Sequence, residues 1–308
     1  MNVKRPRLLL VAVFMLSASC GNGVAATVGT TKISEASIDR ELAAIASDAD
    51  YISYLGRTQH ITVRTNGRWT KPFLASVVNQ RVDLVAIDRI AEREHVSPSK
   101  EQTAAAPAYA AQDVGGPAIY RGFPSWYRRE LARREALVAA LRVNAIRTET
   151  AQSYYDRNKT AFIKYCTSDI VTQDQNTAET ARDEILGGAP FADVARSVSI
   201  DRGTGPRGGD LGCNGPTDLL PQLNRAAAAQ PVGVVGAPIK TDAGWHLLLV
   251  RSRATPPLDR VRGEVQAAVE ELATQRVGRA LRAWLEHNRV SVAGKYGSWD
   301  ERSEKVVA

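Results

Sequence analysis

The chain has 308 residues, ordinary apolar content and a formal net charge of +7. That length leaves room for two domains with a core each, and the balanced composition excludes a wholly disordered chain. Removing the three leader cations Lys4, Arg5 and Arg7 takes +7 to +4, and the remaining Arg residues alternate with Glu and Asp along helical stretches, so no basic stripe points to nucleic acid.

Residues 1–19 read as a secretory leader. Lys4, Arg5 and Arg7 form its positive start, and Leu8 to Ala18 its apolar stretch, well short of the roughly 20 residues that span a bilayer. Leu16-Ser17-Ala18-Ser19-Cys20-Gly21 resembles a bacterial lipobox, with Ser17 where leucine is usual. That resemblance implies lipidation at Cys20 and a chain anchored to the bacterial cell membrane on its outer side by more than one acyl chain. The alternative is cleavage after Ala26, in Val24-Ala25-Ala26, giving a secreted or periplasmic soluble protein. Cys20 directly after the apolar stretch favours the anchor. Cys166 and Cys213 remain as one inner pair, which fits an oxidising compartment.

Residues 27–160 read as a mostly helical module. Thr27 to Ile33 is a short extended lead-in, and Ser34 caps a helix carrying Ile38, Leu42 and Ile45. Asp50 to Gly67 is polar and aromatic, a loop around at most a short helix. Thr70-Lys71-Pro72 starts a second helix, with Phe73, Leu74, Val77, Val78, Val82, Val85 and Ile90 near the 3.6 period. Ser97-Pro98 is a break, and Glu101 to Gly116 is Ala-rich and helical at first. Pro124-Ser125 opens a long helix with Tyr127, Leu131, Val138, Leu141 and Ile146 on one face. Thr148 to Phe162 is a further helix and linker.

Residues 161–253 read as an α+β unit. Ile163 to Val171 is a strand, and Thr177 to Leu186 a helix stopped by Gly187-Gly188. Phe191 to Ser197 is a second helix. Arg207-Gly208-Gly209-Asp210-Leu211-Gly212 is a sharp glycine-rich corner. Leu219 to Ala229 is a third helix. Val234 to Lys240 and Gly244 to Arg251 pair through a turn at Thr241-Asp242-Ala243. Period-2 alternation puts His246 beside Leu248 and Val250 in an otherwise apolar strand. Residues 256–289 form a long helix whose apolar stripe, Val261, Val265, Val269, Leu272, Leu281, Trp284 and Leu285, is too long for one small domain. It is expected to pack back on the N-terminal module, with Val290-Ser291-Val292 adding a strand beside Thr27 and Val28, so that 256–292 form one returning segment. Residues 297–308 are a polar tail, expected to fray.

An ordered set of residues carries a family resemblance: Phe191, Ala195, Ser199 and Asp201, then Gly208-Gly209-Asp210-Leu211-Gly212, then Pro238, Thr241, Gly244 and His246. Together they resemble the signature of parvulin-type peptidyl-prolyl isomerases. The run from Thr150 through Tyr154-Tyr155-Asp156, Asn158-Lys159 and Phe162 is similar to the junction in SurA- and PrsA-like proteins, where a helical chaperone module precedes such a domain. The implied fold is α+β: a parvulin domain, an antiparallel sheet with helices, inserted between an N-terminal helical chaperone-like module and a long C-terminal helix that packs back on it. The implied function is cis-trans isomerisation of X-Pro bonds in unfolded or partly folded secreted polypeptides, outside the cytoplasm. The rival is a non-catalytic holdase with a degenerate domain.

The resemblance also assigns roles. His246 corresponds to the second histidine of the family's buried pair, Asp201 to its Cys-or-Asp position, and Thr241 to the hydroxyl supporting the histidines. Asp169 stands where the first histidine is expected, and a buried carboxylate needs a partner, here His246. Leu211, Leu219 and Leu223 would form the proline slot, although Leu219 and Leu223 replace Met and Phe, and Asn214 an aromatic residue. The plain alternatives are a core histidine and core leucines. The same fold would set Cys166 beside Cys213, giving a disulfide in place of two free thiols. Gln173-Asp174-Gln175-Asn176 lacks the basic residues of phosphate-reading relatives. No close Cys/His grouping points to a metal, no cofactor is implied, and neither inner cysteine has the histidine of a thiol protease.

Overall fold

The computed structural model describes residues 23–308; the leader at 1–19 and Cys20 lie outside the described residues. Strands β1 (Val24–Val28) and β2 (Thr31–Ser34) precede helices α1 (Glu35–Ala46) and α2 (Ala49–Thr58). Short strands β3 (Arg64–Thr65) and β4 (Arg68–Trp69) lead to α3 (Lys71–Arg93), α4 (Lys100–Asp113), α5 (Pro117–Gly122) and α6 (Ser125–Ala145). Next come α7 (Ala151–Arg157), β5 (Lys164–Thr172), α8 (Gln175–Leu186), α9 (Phe191–Val198), β6 (Asp210–Asn214) and α10 (Pro221–Ala229). The chain ends with β7 (Ile239–Thr241), β8 (Gly244–Ala254), α11 (Leu258–His287), β9 (Val290–Val292), β10 (Ser298–Asp300) and β11 (Lys305–Val307). Contacts divide it into two compact units. One holds the described residues up to Ala145 with Ala273–Ala308, and the other is Ile146–Leu272.

In the first unit the helix starts follow local chemistry. Ser34 Oγ accepts the Ser37 N–H at 3.2 Å, and Thr70 Oγ1 accepts that of Phe73 at 3.4 Å, with Pro72 in the first turn of α3. Each such cap contributes about 1 kcal/mol. Ile38, Val77, Val78 and Val82 are fully buried in a core that also takes Phe73, Tyr127 and Leu285. The lead-in at 27–33 is a hairpin rather than one extended piece, because Gly29 turns the chain at φ 57°. β9 pairs with the other edge of β1, Thr27 opposite Ser291 and Val28 opposite Val290.

Elsewhere in this unit the structure adds to the sequence expectations or departs from them. The stretch 50–67 does hold a short helix, most of α2, but its second half runs into the β3–β4 hairpin in place of a loop, and the Asn66-Gly67 turn of that hairpin has both residues at positive φ; an Asn-Gly pair is a strong hairpin signal. The six residues of α5, begun by Pro117, were not foreseen. The polar tail does not fray. β10 and β11 form a hairpin, Val306 is 7% exposed, and its N–H donates to Asn79 Oδ1 at 3.0 Å.

In the second unit the sheet order is β6-β5-β8-β7, with every pair antiparallel. One face packs Ile170 and Leu247 against Ala178 and Ala181 of α8 and Phe191, Val194 and Ala195 of α9. On the other face Tyr165, Leu248 and Val250 meet Ala227 of α10. Val261 and Val265 of α11 join Tyr155 and Phe162 in this unit, whereas Leu281, Trp284 and Leu285 belong to cores of the first. The long stripe therefore serves two cores. Among the described residues no helix is long and apolar enough to cross a membrane.

Candidate functional site

The face of the sheet beneath α10 carries the polar residues. β5 and β8 pair with Val171 opposite His246, Asp169 opposite Leu248 and Thr167 opposite Val250, so alternation turns these six side chains to one side. His246 Nδ1 lies 2.7 Å from Asp169 Oδ2, and His246 Nε2 lies 2.8 Å from Thr241 Oγ1. The array thus runs across three strands, from β7 through β8 to β5. His246 is 4% exposed and Asp169 3%.

The carboxylate of Asp169 can only accept, so it takes a hydrogen bond from His246 Nδ1–H. With the proton on Nδ1, Nε2 of that tautomer accepts from the Thr241 hydroxyl, which itself accepts the Ala243 N–H at 3.1 Å. Burial holds the Asp169 carboxyl above the usual carboxylate range, against the hydrogen bond from His246, which pulls it down. Asp169 Oδ1 and Thr167 Oγ1 are buried on this face with no hydrogen-bond partner. Thr167 stands two residues before Asp169 in β5, and strand alternation by itself puts it on this face. That spacing was the available signal.

The glycine-rich corner is built against Asp169. Asp169 N–H donates to Gly209 O at 2.8 Å. Gly209 has φ 76°, and a Cβ there would stand 2.3 Å from Asp169 O, so the approach requires glycine. Beyond the corner Leu211 is half-buried on β6, and Leu219 is half-buried against Tyr165, Leu248 and Val250. Leu223 is 4% exposed, a core side chain that offers almost no surface. Leu220, not singled out from sequence, is 48% exposed.

Asp201 lies on the loop after α9. Hydrogen bonds from the Thr204 hydroxyl and the Gly203 N–H, the latter 2.8 Å, hold its carboxylate below the usual range. Its charge in turn raises Asp169. Ser199 Oγ accepts the N–H of Val171 at 3.2 Å and of Asp201 at 3.4 Å, fastening this loop to β5. Cys166 and Cys213 stand opposite each other on β5 and β6 and are joined in a disulfide. In the loop after β5, Asp174 caps α8 by accepting the Thr177 N–H at 2.9 Å.

Residues 167–252 match the family model of the PPIC-type PPIase domain, the rotamase family. The foldase protein PrsA of Halalkalibacterium halodurans is 33% identical over 108 residues, covering 35% of this chain and 32% of the relative. The chaperone SurA of Chromobacterium violaceum is 34% identical over 113 residues, covering 37% and 26%. The chain spans 26% to 50% of the length of the curated PrsA and SurA relatives it matches. The crystal structure of the peptidylprolyl isomerase PrsA from Bacillus cereus has the same fold, with a TM-score of 0.50 at 17% identity, covering 89% of this chain and 96% of that one. An antiparallel sheet with a buried histidine array, a glycine corner pressed against it and a matching sequence over 167–252 together mean that this chain carries a parvulin-type domain of the PPIC class.

Proposed function

We propose that the chain is a peptidyl-prolyl cis-trans isomerase that assists secreted proteins outside the cytoplasm. Its clients are unfolded or partly folded polypeptides with X-Pro segments. The observation that carries this reading is the continuous Thr241–His246–Asp169 array, held under α10 within the matched domain. The relatives named PrsA and SurA are a foldase and chaperones, and a further relative is named the periplasmic chaperone PpiD.

Isomerisation about X-Pro crosses a barrier of roughly 20 kcal/mol and requires no covalent intermediate. The catalyst has to favour the twisted amide over the planar one. Leu211 and Leu219 supply apolar surface for the proline ring, with Leu223 as packing behind them. Planar amide resonance places negative charge on the carbonyl oxygen. An ionised Asp201 beside that oxygen disfavours the planar form and so lowers the climb to the twisted one. His246 has both ring nitrogens engaged, so its part is to hold β7, β8 and β5 in register. Asp169 takes over structurally from the family's first histidine, at reduced turnover.

The helical module at 27–160 is proposed to hold clients, and Cys20 to anchor the chain to the bacterial cell membrane through lipid after leader removal. The holdase reading keeps a specific basis, because Asp169 departs from the family pattern and Leu223 is buried. An NMR exchange assay on a proline peptide separates the two. Turnover lost in a Leu211→Ala variant supports the isomerase, whereas suppression of aggregation without turnover supports the holdase. If Asp169→His leaves turnover unchanged, the proposed substitution of carboxylate for imidazole is wrong. Metabolic labelling with a radioactive fatty acid, lost in Cys20→Ser, tests the anchor.

A further inference from the structure

The helix that covers the site has no cation of its own in its last turn. α10 has nine residues, a length at which a helix in water is marginal and depends on tertiary contacts. Its final carbonyls need partners, and the negative end of its dipole favours a cation. Both come from one side chain on β8. Arg253 Nη2 donates to Ala227 O at 2.6 Å and to Gln230 O at 2.7 Å, and Nε donates to Ala227 O at 3.2 Å. The guanidinium lies 6.0 Å from the centre of the Tyr165 ring, the residue opposite it on β5. Gln230 adds a bond in the other direction, its side-chain amide donating to Leu248 O at 2.9 Å. Two bonds from the planar fork of Arg to the Ala227 carbonyl and a third to that of Gln230 fix both position and angle, which a Lys ammonium cannot reproduce.

We infer that Arg253 is a positioning residue for the isomerase site: it docks the C-terminal end of α10 onto β8, the strand that carries His246, and so fixes the apolar wall formed by Leu219 and α10 relative to the array. This rests on the isomerase reading for its kinetic consequence, but the clamp itself does not.

The test compares the whole wild-type protein with Arg253→Ala and Arg253→Lys. Exchange of a proline-containing tetrapeptide is followed by NMR, and amide hydrogen exchange of α10 and β5 by mass spectrometry. Arg253→Ala is expected to lower kcat/KM at least fivefold, mainly through KM, and to speed exchange in α10 tenfold or more while β5 is unchanged. Arg253→Lys should recover part of both. Unchanged α10 exchange in Arg253→Ala overturns the inference. Equal acceleration in α10 and β5 overturns it as well, since that marks a general loss of stability. A wild type without turnover sinks the isomerase reading and leaves the clamp to be judged by whether α10 exchange rises selectively.

Discussion

The sharpest perturbation of the array is at Asp169, where removing the acceptor and removing only its charge should part company. Asp169→Ala removes the acceptor of a buried imidazole N–H, and an unpaired buried donor costs about 1–3 kcal/mol. Asp169→Asn keeps a carbonyl oxygen for that N–H and removes a charge whose burial is unfavourable, so its effect should lie within about 1 kcal/mol of zero. The pH dependence has a definite sign. The folded protein holds the Asp169 proton more tightly than an ordinary carboxyl does, so the stability linked to that proton is complete below the unfolded value, about 3.9, and is lost as pH rises through the folded one. Wild type should therefore lose stability relative to Asp169→Asn on going from acid toward neutral pH. Denaturant-dependent hydrogen exchange of β5 and β8 amides reads this locally, which matters in a chain with two compact units. Equal destabilisation by Asn and Ala, or a wild-type–Asn difference that is flat with pH, would refute the array as drawn.

Other perturbations follow from the same geometry. Replacing Cys166 and Cys213 by Ser opens a loop of sequence separation 47, worth about 4 kcal/mol on the chain-entropy model; thiol titration with and without reductant verifies the bond, and faster exchange in β6 its effect. Gly209→Ala should cost about 1–3 kcal/mol from the left-handed backbone alone, before the overlap with Asp169 O, and a thermal melt that matches wild type would show that the corner does not press on β5. Deleting residues 297–308 removes the buried Val306 side chain and its N–H bond to Asn79, a loss of about 2–4 kcal/mol that urea unfolding of the first unit would detect.

What was legible in the sequence was what neighbours along the chain decide. Ser34 and Thr70 cap the helices they precede because their hydroxyls reach the third residue onward. The return of Val290-Ser291-Val292 to Thr27 and Val28 was readable because a strand at that point needs an edge to join. What was not legible depended on distant partners. Val306 anchors the hairpin of the polar tail through partners far away in sequence, the core that buries its side chain and Asn79 of α3, which accepts its N–H. Glu41 shares the apolar stretch of Ile38, Leu42 and Ile45 and is 4% exposed. It is tolerated there because Arg81 of α3 pairs with it and with Glu130, while the Tyr127 hydroxyl donates to its Oε1 at 3.1 Å. No local pattern announces such a meeting of three helices. The Asn66-Gly67 hairpin is the opposite case, a local signal carried entirely by two adjacent residues that tolerate positive φ.

At the site, strand alternation located His246, but only the family resemblance pointed to Asp169 as its partner, since 77 residues separate them. The leucines were ambiguous for a physical reason: a proline slot and a core demand the same side chains, and exposure alone distinguishes Leu219 from Leu223. The carboxylate at 169 changes what the array is. Ala243 N–H donates to Thr241, Thr241 to His246 and His246 to Asp169, so every bond points the same way and a single tautomer satisfies them all. A second imidazole at 169 would have to offer a ring nitrogen lone pair to His246 and then find an acceptor for its own N–H. An acceptor-only group removes that requirement and ends the chain. The remaining oxygen, Asp169 Oδ1, and the Thr167 hydroxyl beneath it are the two buried atoms on this face of β5 that the array leaves without a partner. A Thr167→Val substitution, close in shape and lacking the hydroxyl, should therefore leave the His246 bonds and their imidazole proton resonances in place, whereas Thr241→Val should release Nε2 and move them.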